Sequence, residues 1–181
     1  MIAGGSEVDN ITVAMANARA IVVMGVSGSG KTTIGVELAR RLGCEFHDGD
    51  DYHPTANVEK MSHGIPLDDD DRWPWLDRLR TLIESKLASG ASVVVACSAL
   101  KKRYRERLAH EDARVLFAYL RIDPSVASGR VQSRKSHYMP ASLIESQFAA
   151  LEEPEGALIL DACAPVASLV DQIMEKIGVS A

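Results

Sequence analysis

The 181-residue sequence predicts a three-layer α/β fold, a parallel five-stranded sheet flanked by helices on both faces. Three observations point there. Apolar runs at 20–24, 44–47, 92–97, 115–120 and 157–160 are each short enough for a buried strand. Stretches with helical apolar spacing separate them, which is the alternation of a parallel sheet. The length suits one domain, 20–181, behind a loosely ordered N-terminal extension, 1–19. In such a sheet ligands gather beyond the carboxyl ends of the strands, so the chemistry is expected just after each run.

The extension carries Glu7 and Asp9 and no basic residue before Arg19, so it lacks the positive start of a secretory signal. The alternative to a loose arm is that 11–15 docks as an extra turn. The first strand feeds Gly25-Val26-Ser27-Gly28-Ser29-Gly30-Lys31-Thr32, which fits G-x-x-x-x-G-K-[ST], the phosphate-binding P-loop. Its glycines let backbone N–H groups turn inward around phosphate oxygens, Lys31 reaches the β- and γ-phosphates, and the Thr32 hydroxyl can ligate Mg²⁺. Ile34, Leu38 and Leu42 continue as a helix whose positive dipole end faces the same anion. Gly25, Ser27, Gly28, Ser29, Gly30, Lys31, Thr32 and Thr33 are therefore the expected ATP-binding set.

The second strand runs into Asp48-Gly49-Asp50-Asp51. Acids spaced i, i+2 off a strand end point the same way and can serve one site. Asp48 is placed to hold Mg²⁺ through water, and Asp50 to orient an acceptor hydroxyl and take its proton. The plain alternative is a polar turn with aspartate caps; the neighbouring phosphate loop argues for function. Turn formers over 54–67 and a long helix over 72–89, with Leu76, Leu79, Leu82, Ile83 and Leu87 at helical intervals and Gly90 past its end, predict a small helical substrate-binding insertion, 53–89. Asp68 to Asp71 read as a cap and dipole complement rather than a metal cluster. Arg72, beside Trp73 and Trp75, either clamps a substrate carboxylate bidentately or is a surface arginine, and the tryptophans read as packing residues.

The third strand ends at Cys97 without the acid that motor and switch ATPases carry there, which leaves Asp48 as the metal-associated carboxylate. The segment 98–105 starts a helix with cations, an unfavourable end for them, so a compensating anion is expected. Ser98, Lys101 and Arg105 are its substrate-binding candidates; Lys102 and Arg103 are expected to be solvated. After the fourth strand, Asp123-Pro124 opens a helix on which Arg130 and Arg134, four residues apart, share one face. Either a mobile lid, 131–141, brings them to the transferred phosphoryl group, or they form a solvated face. Pro165 opens the last helix, and the 161–165 turn is placed to face adenine.

A formal net charge of −5 argues against a nucleic-acid binder, and no apolar run approaches a membrane span. Cys44, Cys97 and Cys163 are odd in number and far apart, the usage of a reducing compartment, so a cytoplasmic address is expected. The five histidines lack zinc spacing. No N-K-x-D element reads guanine.

With these residues in place, the chain resembles the gluconate kinase family of shikimate kinase-like P-loop small-molecule kinases from about residue 21 to 177. The resemblance rests on MGVSGSGKT at 24–32, DGDDYHP at 48–54, NVEKM at 57–61, GIPL at 64–67, DRWPWL at 71–76, ACSALK at 96–101 and HYMP at 137–140. It implies a homodimer that uses ATP and Mg²⁺ to phosphorylate the 6-hydroxyl of D-gluconate, feeding it into carbohydrate catabolism. By that similarity Lys31, Asp50 and Arg130 are catalytic, Asp50 and Arg72 grip the sugar acid, and Arg130 with Arg134 lies on the lid side of ATP. Lys60, Ser98, Lys101, His137 and Gln147 are further gluconate contacts by the same similarity. The competing expectations are a kinase for another polyol acid such as shikimate, and a nucleotide-dependent switch. The extension before residue 20 is not required by the family.

Overall fold

The structure, a computed structural model, describes residues 18–133 and 141–179. Strand β1 (Ala20–Met24) is the centre of an all-parallel sheet ordered β2-β3-β1-β4-β5, with β2 at Glu45–Asp48, β3 at Val93–Cys97, β4 at Val115–Arg121 and β5 at Leu158–Asp161. Every residue of β1 and β3 is buried, because helices cover both faces. Register aligns Met24 with Cys97 on one side and Tyr119 on the other, and Asp48 with Ala96. The loops leaving β1, β2 and β3 therefore open on one edge.

Helices follow the strands: α1 (Lys31–Leu42), a 3₁₀ turn (Gly49–Tyr52), α2 (Thr55–Ser62), α3 (Asp69–Ala88), α4 (Lys102–Ala109), α5 (Pro124–Gln132), α6 (Ala141–Ala150) and α7 (Val166–Lys176). Alternation along β1 sends Ile21 and Val23 to one core, where Ile34 and Leu38 of α1 meet Leu169, Val170 and Ile173 of α7. It sends Val22 and Met24 to the other, with Trp75, Leu76, Leu79 and Ile83 of α3 and Tyr104 and Leu108 of α4.

β2 and β5 each run one residue later than the apolar patterning predicts, so β2 ends on Asp48 itself. The long helix begins at Asp69 rather than at 72. Its start is fixed by a reciprocal cap: Asp68 accepts from the Asp71 N–H at 2.9 Å, and the Asp71 carboxylate accepts from the Asp68 N–H at 3.1 Å. The helix tolerates Pro74, which deletes one backbone bond near that end. Within the predicted 53–89 insertion, α3 packs on the sheet through Trp75, Leu76, Leu79 and Ile83. Of the N-terminal extension, the described part, Ala18 and Arg19, leads into β1: the Arg19 N–H donates to Ser92 Oγ at 3.1 Å, and the Val93 N–H to the Arg19 carbonyl at 3.0 Å. The remainder, with the 11–15 turn, and 134–140 of the predicted lid lie outside the described residues. Among the described residues no helix is long and apolar enough to cross a membrane.

Candidate active site

The site grows from the end of β1. Gly25, Gly28 and Gly30 have φ of 142°, 83° and 98°, so the chain wraps before α1 begins at Lys31. At Gly28 glycine is also required by close approach, since a Cβ there would lie 2.6 Å from the Ala127 carbonyl oxygen of α5. No acid occupies the first turn of α1, so its positive end is left to a ligand. Lys31 curls over the loop, its Nζ donating to the Val26 carbonyl at 3.1 Å. Ser29 is buried and its hydroxyl has no partner among the described residues. Thr33 is exposed on the first turn of α1. This wrapped, amide-lined turn fits a polyphosphate.

The acid turn is bonded to that loop. The Thr32 hydroxyl donates to Asp48 Oδ2 at 2.9 Å, and Asp48 Oδ1 accepts from the Asp50 N–H at 3.1 Å. One carboxylate thus joins the phosphate loop to Asp50. The turn is pressed on β3: a Cβ on Gly49 would stand 2.4 Å from the Ala96 carbonyl oxygen, and buried Trp75 Nε1 donates to the Gly49 carbonyl at 2.7 Å. Gly49→Ala must therefore push the acid pair off β3. We expect it to cost about 1–3 kcal/mol, read from denaturant midpoints, and to lower turnover as well, because Asp48 and Asp50 move together.

Below the acids lies the end of β3. Burial, with a smaller contribution from Asp50, pushes the Cys97 thiol up to about 12, while a backbone hydrogen bond from Ala99 and the charges of Lys31 and Arg72 act in the opposite sense. Ser98 is half-buried beside it, and its carbonyl accepts from the Gly25 N–H at 3.3 Å.

Around Tyr104 the cations converge. Arg72, Lys101 and Arg103 lie 5.6, 5.5 and 5.8 Å from its ring centre. Asp69 accepts from the Tyr104 hydroxyl, pairs with Lys101 at 3.0 Å, and pairs with Arg103. The Tyr104 hydrogen bond first, then Lys101, holds the Asp69 carboxyl below its ordinary range. Burial, reinforced by Asp69, pushes the Tyr104 hydroxyl upward. Two of these cations, Lys101 and Arg103, share one carboxylate, and Arg72 stands by the same ring, which leaves positive charge suited to an acidic acceptor. Arg72 is held by its own backbone, donating to the Leu67 carbonyl at 3.2 and 3.3 Å. Lys60 pairs with Asp71 at 2.6 Å.

His53, next to the acid turn, stacks on Trp75 at 4.2 Å and 15°. Burial, and then Arg72, lower it from 6.5 to about 4. It stays neutral in the folded protein while the unfolded chain takes up its proton, so stability is full above pH 6.5 and falls as pH drops toward 4. The carboxylates Asp69, Asp71, Asp77 and Asp112, all held below 3.8, act beneath that window. Thermal midpoints measured from pH 7.5 to 4.5 are expected to fall less steeply in His53→Gln than in the parent; equal slopes would remove His53 as the cause.

Arg130 bridges two parts of the nucleotide side: its Nη1 is 3.5 Å from the Gly28 carbonyl, and its Nη2 donates to the Ala162 carbonyl at 3.1 Å, inside the 161–165 turn. Arg134 and His137 lie outside the described residues. Three expected residues meet different surroundings in the structure. Arg105 does not face the site: it is buried, its Nη1 donates to the Ala99 and Leu100 carbonyls at 3.0 and 2.9 Å, and its charged neighbours are Glu152 and Glu106. It lines a groove of about 450 Å³ between α4, the start of β4 and 152–157. Gln147 meets the phosphate loop, binding Ser27 through both ends of its amide. Arg103, expected in solvent, is half-exposed but paired with Asp69. Asp69, Tyr104 and His53 are the members that sequence reasoning missed; an aromatic amid five cations in 101–107 was the available signal for Tyr104.

Strand, glycine loop, lysine, threonine and adjacent acid define a P-loop kinase, and the comparisons agree. A family model described as an AAA domain matches residues 21–154. A gluconokinase from Gluconobacter oxydans is 48% identical over 136 residues, covering 75% of this chain and 76% of its own. The crystal structure of a gluconokinase from Sinorhizobium meliloti matches with a TM-score of 0.79 and 42% identity over 88% of this chain and 91% of that one. A shikimate kinase from Bacteroides thetaiotaomicron, at 19% identity and a TM-score of 0.65 over 89% and 99%, shares the fold. The chain belongs to the gluconokinase family.

Proposed function

We propose that this protein transfers the γ-phosphoryl group of ATP to the 6-hydroxyl of D-gluconate, giving 6-phosphogluconate and ADP. The observation that carries the reading is the hydrogen-bonded line from Thr32 through Asp48 to Asp50, which ties an acceptor-side acid to the phosphate loop. The names of the relatives, at 42–48% identity, favour gluconate over shikimate.

Loop amides and Lys31 hold the β- and γ-phosphates, and Arg130, at the Gly28 carbonyl, serves their outer side. Asp50 aligns the acceptor hydroxyl and takes its proton as the oxygen–phosphorus bond forms and the bridging bond to ADP breaks. The Arg72, Lys101 and Arg103 wall, with Lys60 and Ser98 nearby, fixes the acid end of the substrate, so positioning supplies most of the rate. The Thr32 hydroxyl and the Asp48 carboxylate suit Mg²⁺, which takes few protein ligands and would neutralise charge on the phosphates. The reading includes a cytoplasmic address, in keeping with free Cys44, Cys97 and Cys163, and a homodimer whose mass light scattering would measure.

Coupled ADP release tests the activity. Gluconate should stimulate turnover far above the acceptor-free rate and above shikimate. Stimulation by shikimate alone, or hydrolysis indifferent to acceptor, would overturn the assignment.

A further inference from the structure

Ser27 of the phosphate loop is gripped by a residue 120 positions away. Gln147, on α6, accepts from the Ser27 N–H through Oε1 at 2.7 Å and donates from Nε2 to Ser27 Oγ at 3.1 Å. One side-chain amide therefore takes both the backbone N–H and the hydroxyl of one loop residue. The contact is not needed to seat α6, since Ile144 is buried and Phe148 packs on the core cluster of α1 and α7. The next residue is held from the other side: Gly28 lies against the Ala127 carbonyl and Val131 of α5, with Arg130 at its carbonyl. Two consecutive loop residues, Ser27 and Gly28, are thus fixed by α6 and α5, respectively.

We propose that Gln147 is a positioning residue of the nucleotide site, holding Ser27 so that the phosphate loop is set for ATP before it binds. The inference rests on the nucleotide half of the function proposed above and is independent of the acceptor. It also replaces the gluconate contact that family resemblance implies for this glutamine. The physical reason is the shape of the clamp. With its N–H bonded to Oε1, Ser27 cannot rotate about the loop axis without breaking a short bond, so fewer loop conformers compete with the phosphate-binding one. With its oxygen accepting from Nε2, the Ser27 hydroxyl keeps its own hydrogen for a phosphate oxygen.

Two near-isosteric variants separate this role from packing. Gln147→Met keeps length and loses both hydrogen bonds. Gln147→Glu keeps size and can accept from both Ser27 N–H and O–H, but consumes the hydroxyl hydrogen and brings negative charge beside the phosphates. Calorimetric titration with a non-hydrolysable ATP analogue, with no acceptor present, is expected to show Kd raised about tenfold in Gln147→Met, the loss of two neutral bonds. Gln147→Glu should bind more weakly still, although its bonds survive. The KM for acceptor should stay within about twofold in both, as expected of a residue acting on nucleotide binding alone. Unchanged analogue affinity, or an acceptor KM that rises while analogue affinity holds, would overturn the proposal. If Gln147→Met does not fold, Gln147→Glu decides alone, and wild-type affinity there refutes the role. Because analogue binding is read without acceptor, a failed gluconate assignment leaves the outcome legible.

Discussion

Asp50→Asn is expected to lower kcat by about 10²- to 10⁴-fold, the span that general acid–base groups contribute, while analogue affinity stays near the parent value. The substitution is nearly isosteric, so it isolates the loss of the basic carboxylate. It leaves the backbone N–H that Asp48 Oδ1 holds at 3.1 Å, and with it the turn over β3 and the Asp48 bond to Thr32. An amide in that place can still orient a hydroxyl but cannot accept its proton. The loss should therefore fall on kcat more than on acceptor KM, and single-turnover rates should fall with it. Parent-like turnover in Asp50→Asn would remove the carboxylate from the chemistry.

Lys31→Met should cut turnover by about 10²- to 10³-fold, the cost of removing one preorganised donor from developing charge. Unlike the first variant, it should also weaken nucleotide binding. Methionine keeps the apolar stem of the half-buried side chain, so the fold should survive. The bond to the Val26 carbonyl at 3.1 Å is lost, yet the loop keeps its grip from Gln147 and its approach to α5. Analogue titration and turnover measured together would show both parameters falling; a change in acceptor KM alone would place Lys31 elsewhere.

The parts of the fold that local pattern specifies were legible. Buried parallel strands read as continuous apolar runs, and the glycines of 25–30 announce positive φ before a helix. Past the end of β2 strand alternation no longer applies: Gly49–Tyr52 is a 3₁₀ turn capped by Asp48, the geometry of a polar turn with an aspartate cap, and its bond to Thr32 was not in the pattern. Long-range pairing was not legible either. The four acids before α3 read as a cap, and Asp68 and Asp71 do cap it, but Asp69 is taken by Lys101, Arg103 and Tyr104, more than 30 residues on. Arg105 looked like its basic neighbours, yet helical geometry turns it to the opposite side, where the Ala99 and Leu100 carbonyls at the helix entry need a donor. Gln147 carries no sequence signal for Ser27, because an amide suits many partners and the contact exists only once α6 packs beside the loop.

All of this depends on an acceptor hydroxyl meeting the terminal phosphate between Lys31 and Asp50, at the edge where β1, β2 and β3 end. A crystal structure with gluconate and a non-hydrolysable ATP analogue tests it most directly. The account predicts the analogue's phosphates inside the 25–32 turn, the gluconate carboxylate against Arg72 and Lys101, and its 6-hydroxyl in hydrogen-bond contact with Asp50 and in line with the γ-phosphorus. Gluconate bound away from Asp50, or phosphates outside the glycine turn, would contradict it.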